Sequence, residues 1–212
     1  MNRLYDLLAA PLTANLAPGT KLIATNVFSP ILVPLKMTLM TAFLVALPYV
    51  LYQLWAFVAP GLYSHEKKMV LPLVVTSTLL FLVGVAFCYT IVITGLTTFI
   101  VKYAPTSVNA APDIEQYFGT VLQLFLVFGI AFEVPIAVVL LASTGLVKVE
   151  TLQKNRGYVL LGIFVVAAFL TPPDAISQSF MAVPMYILYE LGILFARYLA
   201  RNRPTEAATQ ET

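Results

Sequence analysis

Apolar residues run in five long stretches that are separated by short polar segments. The stretches cover about Ile31–Val58, Met69–Val101, Ile114–Ala142, Tyr158–Leu170 and Phe180–Tyr198. At about 1.5 Å per residue, the first three are long enough to cross a hydrocarbon layer of ~30 Å as tilted helices. The fourth reaches only about 20 Å, and we expect it to cross where the bilayer is thin rather than to form a re-entrant hairpin.

Composition agrees with this pattern, because 60% of the residues are hydrophobic and only 10% are charged. A soluble domain needs far more charged surface, so we predict an all-α polytopic membrane protein. Residues 1–30 are expected to form an extracytoplasmic cap, with a short interfacial helix that presents Leu4, Leu7 and Leu8 on one face and ends before Pro11. Residues 31–198 form the transmembrane helical domain, and 199–212 a disordered cytoplasmic tail.

Basic residues are concentrated on one side of the predicted membrane. Five crossing helices place eight of them together: Lys67, Lys68, Lys148, Lys154, Arg156, Arg197, Arg201 and Arg203. The positive-inside rule assigns these segments to the cytoplasm and the N-terminus to the outside. Residues 1–30 contain no pattern of a signal peptide, so we expect that an upstream helix is absent from this chain.

Glu133 is a carboxylate in the middle of the third stretch, two residues before Pro135. An acidic side chain at the centre of a membrane helix costs roughly 2.5–3.5 kcal/mol on insertion scales, so such residues usually have a function. Pro135 loosens the same helix at the same depth. Glu133 is therefore the first candidate for a functional residue, either as a proton relay or as a contact for a partner.

Catalytic chemistry finds little support in the sequence. His65 is the only histidine, and the chain lacks H-E-x-x-H, G-x-S-x-G and phosphate-loop motifs. No enzyme, metal site or cofactor is predicted. Asp113 is expected to cap the third long helix with Gln116, and Glu190 to pair with Arg197.

Aromatic residues crowd the end of the first stretch, from Leu47 to Tyr63, where Pro60-Gly61 forces a turn. An aromatic belt at the headgroups accounts for most of this segment. The turn is followed by Glu66, a lone carboxylate among cations. Glu66 either pairs with a neighbouring lysine or accepts a guanidinium group from a basic partner peptide.

Five blocks in this order and spacing resemble the TatC family, the multi-spanning subunit of the twin-arginine protein translocase. The resemblance covers residues 1–203. The blocks are Ala24-Thr25 with Ser29-Pro30, Leu51 to Tyr63 with Glu66-Lys67-Lys68, Phe128-Gly129 with Phe132-Glu133-Val134-Pro135, Leu170 to Asp174 with Ser177-Gln178, and Pro184-Met185-Tyr186.

The resemblance implies a cupped fold of six helices, with both termini cytoplasmic and two short helices at the end. The family's N-terminal segment with its Glu-Leu-Arg motif, and its first helix, are expected to be absent here. By the resemblance, Glu66 and Phe57 bind the signal peptide. Glu133, beside Pro135, contacts partner subunits, and Asp174 and Gln178 are functional positions of an outer loop.

The function that the resemblance implies is that of a receptor and core subunit in the bacterial cytoplasmic (inner) membrane. It would bind Arg-Arg signal peptides of folded cargo and form homo- and hetero-oligomers with TatA-like and TatB-like single-span subunits, and the proton-motive force would drive export. One alternative is a small-solute or proton-coupled transporter that uses Glu133, although no inverted repeat supports it. Another is an inactive truncated fragment.

Overall fold

The chain is helical along all of its apolar stretches. The computed structural model describes residues 2–13, 22–62, 70–103, 112–170 and 175–201. Its helices, in chain order, are α1 (Asn2–Thr13), α2 (Ser29–Leu62), α3 (Val70–Phe87), a π-helical segment (Cys88–Ile93), α4 (Thr94–Tyr103), α5 (Ile114–Ser143), α6 (Val149–Lys154), α7 (Arg156–Leu170) and α8 (Ala175–Arg201). The predicted all-α fold is confirmed.

Four helical segments of the described chain are long and apolar enough to cross a membrane. They are Ser29–Phe57, Leu71–Phe99, Ile114–Ser143 and Gln178–Leu199, and each agrees with a predicted stretch to within a few residues. The fifth, α7, is a shorter apolar helix, as its sequence predicted. Helix α2 begins two residues before Ile31.

A π-helical turn interrupts the second long segment between α3 and α4. Such a turn inserts one extra residue into the helix, which rotates the side chains that follow it. Cys88, Val92 and Ile93 of this segment are buried. The uniformly apolar sequence carries no period that could have predicted this rotation.

Helix α5 lies at the centre of the fold and packs most extensively against α8 and α3. Small residues allow these helices to approach closely, as is usual for helix pairs in membranes. A β-carbon on Gly129 of α5 would lie 2.3 Å from Cζ of Phe81 on α3. A β-carbon on Gly192 of α8 would lie 2.9 Å from Cα of Pro135 on α5.

Helix α1 caps one end of this bundle, but it does not end before Pro11 as predicted: it continues to Thr13. Pro11 has no N–H for the carbonyl of Leu7, four residues earlier. The hydroxyl of Tyr89 donates to that carbonyl at 2.6 Å, which removes the reason for the helix to stop. Of the predicted apolar face, Leu8 is buried, whereas Leu7 is exposed.

Candidate functional site

The carboxyl group of Glu133 lies inside the helical bundle, in the middle of α5. Both of its oxygens are buried, and neither has a hydrogen-bond partner among the residues that the structure describes. A buried polar group without a partner is costly, and the cost is larger for a carboxylate. The described residues of this chain therefore leave both carboxyl oxygens of Glu133 without a hydrogen bond.

A serine on the neighbouring helix faces this carboxyl. Ser77 of α3 is fully buried and lies beside Glu133, although the two side chains form no hydrogen bond in the structure. Its hydroxyl accepts a hydrogen bond of 2.8 Å from Nε1 of Trp55 on α2. Because this bond uses the oxygen as an acceptor, the hydroxyl proton of Ser77 stays free for an acceptor. Sequence reasoning missed Ser77 and the role of Trp55.

Pro135 is buried between α5 and α8 rather than exposed beside Glu133. Gly192 brings the backbone of α8 against it, and Val138 packs at the same crossing. Pro135 removes one backbone hydrogen bond within α5, but the helix runs through it without interruption. The residue thus shapes the interface of α5 with α8.

The aromatic residues near the end of α2 include one buried ring and one exposed ring. Trp55 is 6% exposed and packs with Leu51 and Val74, whereas Phe57 is 85% exposed. A fully presented phenyl ring at the end of an apolar helix is a candidate contact for another molecule. Glu66, the predicted partner of Phe57 in peptide recognition, lies outside the described residues.

On the opposite side of the bundle, Gln178 lies in the first turns of α8 and is partly buried. Asp174, the other residue predicted for this outer loop, lies outside the described residues. The structure therefore positions Gln178 at the start of the last long helix, and the functional role of the two residues stays a prediction.

Asp113 caps α5 as predicted, and it also ties α5 to the segment before α2. Its carboxylate accepts from the backbone N–H of Gln116 at 2.9 Å and from the backbone N–H of Thr25 at 3.0 Å. The Thr25 hydroxyl donates to the same carboxylate. The hydrogen bond from the Thr25 side chain, followed by those from the backbone, lowers the pKa of Asp113 to about 2.

A second polar cluster stands beside this cap. Glu115 of α5 accepts a hydrogen bond of 2.8 Å from the buried hydroxyl of Ser29 and forms a 2.9 Å ion pair with Lys36 of α2. With Asp113, these contacts fix the ends of α2 and α5 relative to each other. They are structural, and they hold the helix that carries Glu133.

Glu190 does not pair with Arg197 as predicted. Its carboxylate accepts from Arg156 at the start of α7 at 2.7 Å, whereas Arg197 donates to the side-chain oxygen of Gln153. The prediction chose a partner by spacing along one helix. The packing of α7 against α8 brings a different guanidinium closer.

The fold and these groups define a multi-pass helical membrane protein. In its interior Glu133 has no partner among the described residues, and the ring of Phe57 is exposed at a helix end. Within the described ranges, no group of three or more His, Cys, Asp or Glu side chains is arranged to hold a metal ion. The site offers contacts for partners: a buried hydrogen-bond acceptor and an apolar surface.

Known proteins are similar to this chain in sequence and in fold. A family model described as the Sec-independent protein translocase protein TatC matches residues 1–184. The TatC protein of Escherichia coli strain K12 is 46% identical over 206 residues, which cover 97% of this chain and 80% of that protein. TatC of Haemophilus influenzae is 47% identical over 197 residues, covering 93% and 77%.

A crystal structure of the twin-arginine translocase receptor TatC superimposes on this fold with a TM-score of 0.84. The two are 36% identical, and the match covers 94% of this chain and 88% of that one. The chain belongs to the TatC family, as its sequence blocks predicted. It is a component of the Sec-independent, twin-arginine protein translocase, a receptor-type membrane protein rather than an enzyme. Family membership decides against the small-solute transporter alternative.

Proposed function

We propose that the chain is the signal-peptide receptor and core subunit of its translocase in the bacterial cytoplasmic membrane. In this proposal the paired arginines of a folded cargo's signal peptide bind Glu66, and Phe57 contacts the apolar part of the peptide beside them. The observation that carries the proposal is the 85% exposure of Phe57 at the end of an apolar helix. Export is driven by the proton-motive force.

The chemistry of the two residues suits such a peptide. A carboxylate takes a guanidinium group through two parallel hydrogen bonds, which a lysine ammonium cannot match in geometry. Trp55 anchors this part of α2, because its ring is buried and its N–H donates to Ser77. The end of α2 is thereby fixed while Phe57 stays free to bind.

The proposal places the α2–α3 and α5–α6 connections and the end of α8 in the cytoplasm, where the positive-inside rule puts their basic residues. The native Cys88 is buried, so cysteines introduced elsewhere can be labelled against a silent background. In oriented vesicles, we expect Lys154→Cys to react only from the cytoplasmic side and Val27→Cys only from the outer side. The reverse pattern would exclude this orientation.

Glu133 is proposed as the contact for single-span TatA-like and TatB-like subunits. A buried carboxyl group without a partner gains most from a hydrogen-bond donor on an incoming helix, since no water competes for it in the membrane. Pro135 contributes through the packing of α5 on α8, because its ring is covered. Asp174 and Gln178 are proposed to act on the outer side of the same assembly.

Replacing Glu133 tests whether this residue binds the small subunits and not the signal peptide. We expect Glu133→Ala to lower the recovery of the small subunits with the purified protein about tenfold, the loss of one hydrogen bond to a charged group. Binding of an Arg-Arg signal peptide should stay within about twofold of the unmodified protein. Gln123→Ala, an exposed polar residue on the same helix, is the matched control. Unchanged recovery of the small subunits would exclude Glu133 as their contact.

A further inference from the structure

An apolar groove of about 540 Å³ lies between α5, α7 and α8. Val134 of α5, Val159, Gly162 and Val166 of α7, and Met185 of α8 are among the residues that line it. Glu133 does not line it, so the groove is separate from the proposed contact for the small subunits. Its location within apolar helices places it at the depth of lipid chains.

One end of the groove is polar and positively charged. Val159 lies one helical turn after Arg156, and Tyr189, which also lines the groove, donates its hydroxyl to the carbonyl of Leu152 at 2.8 Å. From Val159 to Val166 the groove follows α7 for about 10 Å, at 1.5 Å per residue. It therefore runs from a polar end into the apolar part of the bundle.

The charges at this end match a negatively charged group. Lys154 and Arg156 are exposed, and in the described part of the chain Lys154 has no ion-pair partner. Arg156 uses one of its nitrogens for Glu190 and keeps further N–H donors for another acceptor. Glu150 on α6 is the other carboxylate here, and Arg197, which donates a hydrogen bond to α6, makes three basic groups against two acidic ones.

We propose that the groove binds an anionic phospholipid, with one acyl chain between α5 and α7 and the phosphate at Lys154 and Arg156. Basic pockets between transmembrane helices commonly bind such headgroups. The groove is open and follows α7 for about 10 Å, so it takes a segment of one acyl chain, while the basic groups at its end select an anionic headgroup.

A larger side chain at Gly162, which lines the groove, tests whether the groove is occupied. A β-carbon at this position meets no atom within 4 Å, so Gly162→Leu adds a side chain at the groove lining without displacing the protein. Gly119 of α5 has the same open surroundings and lies outside the groove lining, so Gly119→Leu is the matched control. Equal melting temperatures of both variants and the unmodified protein in neutral detergent establish that the fold is retained.

The test is native mass spectrometry of the purified protein with phosphatidylglycerol or phosphatidylcholine added in turn. We expect the unmodified protein and Gly119→Leu to retain one phosphatidylglycerol, and Gly162→Leu to retain at least tenfold less. Lys154→Gln should lower the preference for phosphatidylglycerol over phosphatidylcholine about fivefold, the effect of one basic residue.

Three results would overturn the proposal. Equal retention of phosphatidylglycerol by Gly162→Leu and the unmodified protein would exclude the groove as the lipid site. Equal retention of the two lipids by the unmodified protein would exclude recognition of an anionic headgroup. Efficient crosslinking of Gly162→Cys to a single-span subunit in membranes would show that a protein helix is the occupant. None of these results bears on signal-peptide binding, so the receptor proposal is tested independently.

Discussion

Single polar contacts determine where the helices of this protein begin, continue and meet. Asp113 was predicted as the cap of α5 from its spacing to Gln116. Its second partner, Thr25, lies 88 residues away in the chain and could not be read from local sequence. The same holds for Trp55 and Ser77, which are 22 residues apart and meet only when α2 packs on α3. Rules that use neighbouring residues in the sequence predicted the helix cap, whereas the contacts between helices could be found only in the folded structure.

Tyr89→Phe tests the explanation for the continuation of α1 through Pro11. Removing the hydroxyl leaves the carbonyl of Leu7 without its donor, and we expect a loss of about 0.5–1.5 kcal/mol in the stability of the cap, the net value of one hydrogen bond. Hydrogen exchange of α1 should rise, while exchange of α5 stays unchanged. Tyr158→Phe is the control, because Tyr158 is 78% exposed. Equal exchange of α1 in both variants would show that another contact holds the helix.

The lowered pKa of Asp113 predicts that the stability of the protein depends on pH. Its pKa is about 2 in the folded protein, below the ordinary value of about 3.9, so the carboxylate stabilises the fold above roughly pH 4. That contribution is lost as the pH falls towards about 2. We expect the melting temperature of the unmodified protein to fall more steeply between these values than that of Asp113→Asn. Parallel curves would contradict the assignment.

At the scale of helices, hydropathy predicted all five apolar segments to within a few residues. It missed α6, whose six residues are too few and too polar to form an apolar stretch. The π-helical turn was also missed, because every residue around Cys88 is apolar and a shift of one position leaves the pattern unchanged. The rule that proline ends a helix failed at Pro11 because a tyrosine from another helix supplied the missing donor.

The crossing of α3 and α5 depends on small residues, and Gly129→Ala tests it. The added methyl group would overlap the ring of Phe81, which is 2% exposed and has little room to move. Overpacking of this kind costs about 1–3 kcal/mol. We expect a lower melting temperature for Gly129→Ala than for Gly119→Ala, where the space is open. If the two variants melt alike, the helices are not held at this distance by Gly129.

At the scale of the whole molecule, the two proposed binding functions are spatially distinct. Phe57 lies at the end of α2, whereas Glu133 is buried in the middle of α5. Trp55 and Ser77 lie between them, and the indole N–H of Trp55 donates to the Ser77 hydroxyl beside Glu133. The sequence resemblance predicted roles for Phe57 and Glu133. The contact between Trp55 and Ser77 emerged only from the packing of the helices.

The most direct test of the central claim, that this chain is a receptor for twin-arginine signal peptides, is a binding cycle. The affinity of an Arg-Arg and a Lys-Lys signal peptide is measured for the purified unmodified protein and for Glu66→Gln. We expect the unmodified protein to prefer the Arg-Arg peptide by about tenfold or more, the value of a charge-assisted pair of hydrogen bonds. Glu66→Gln should lose that preference. Equal affinities of the unmodified protein for the two peptides would contradict the account.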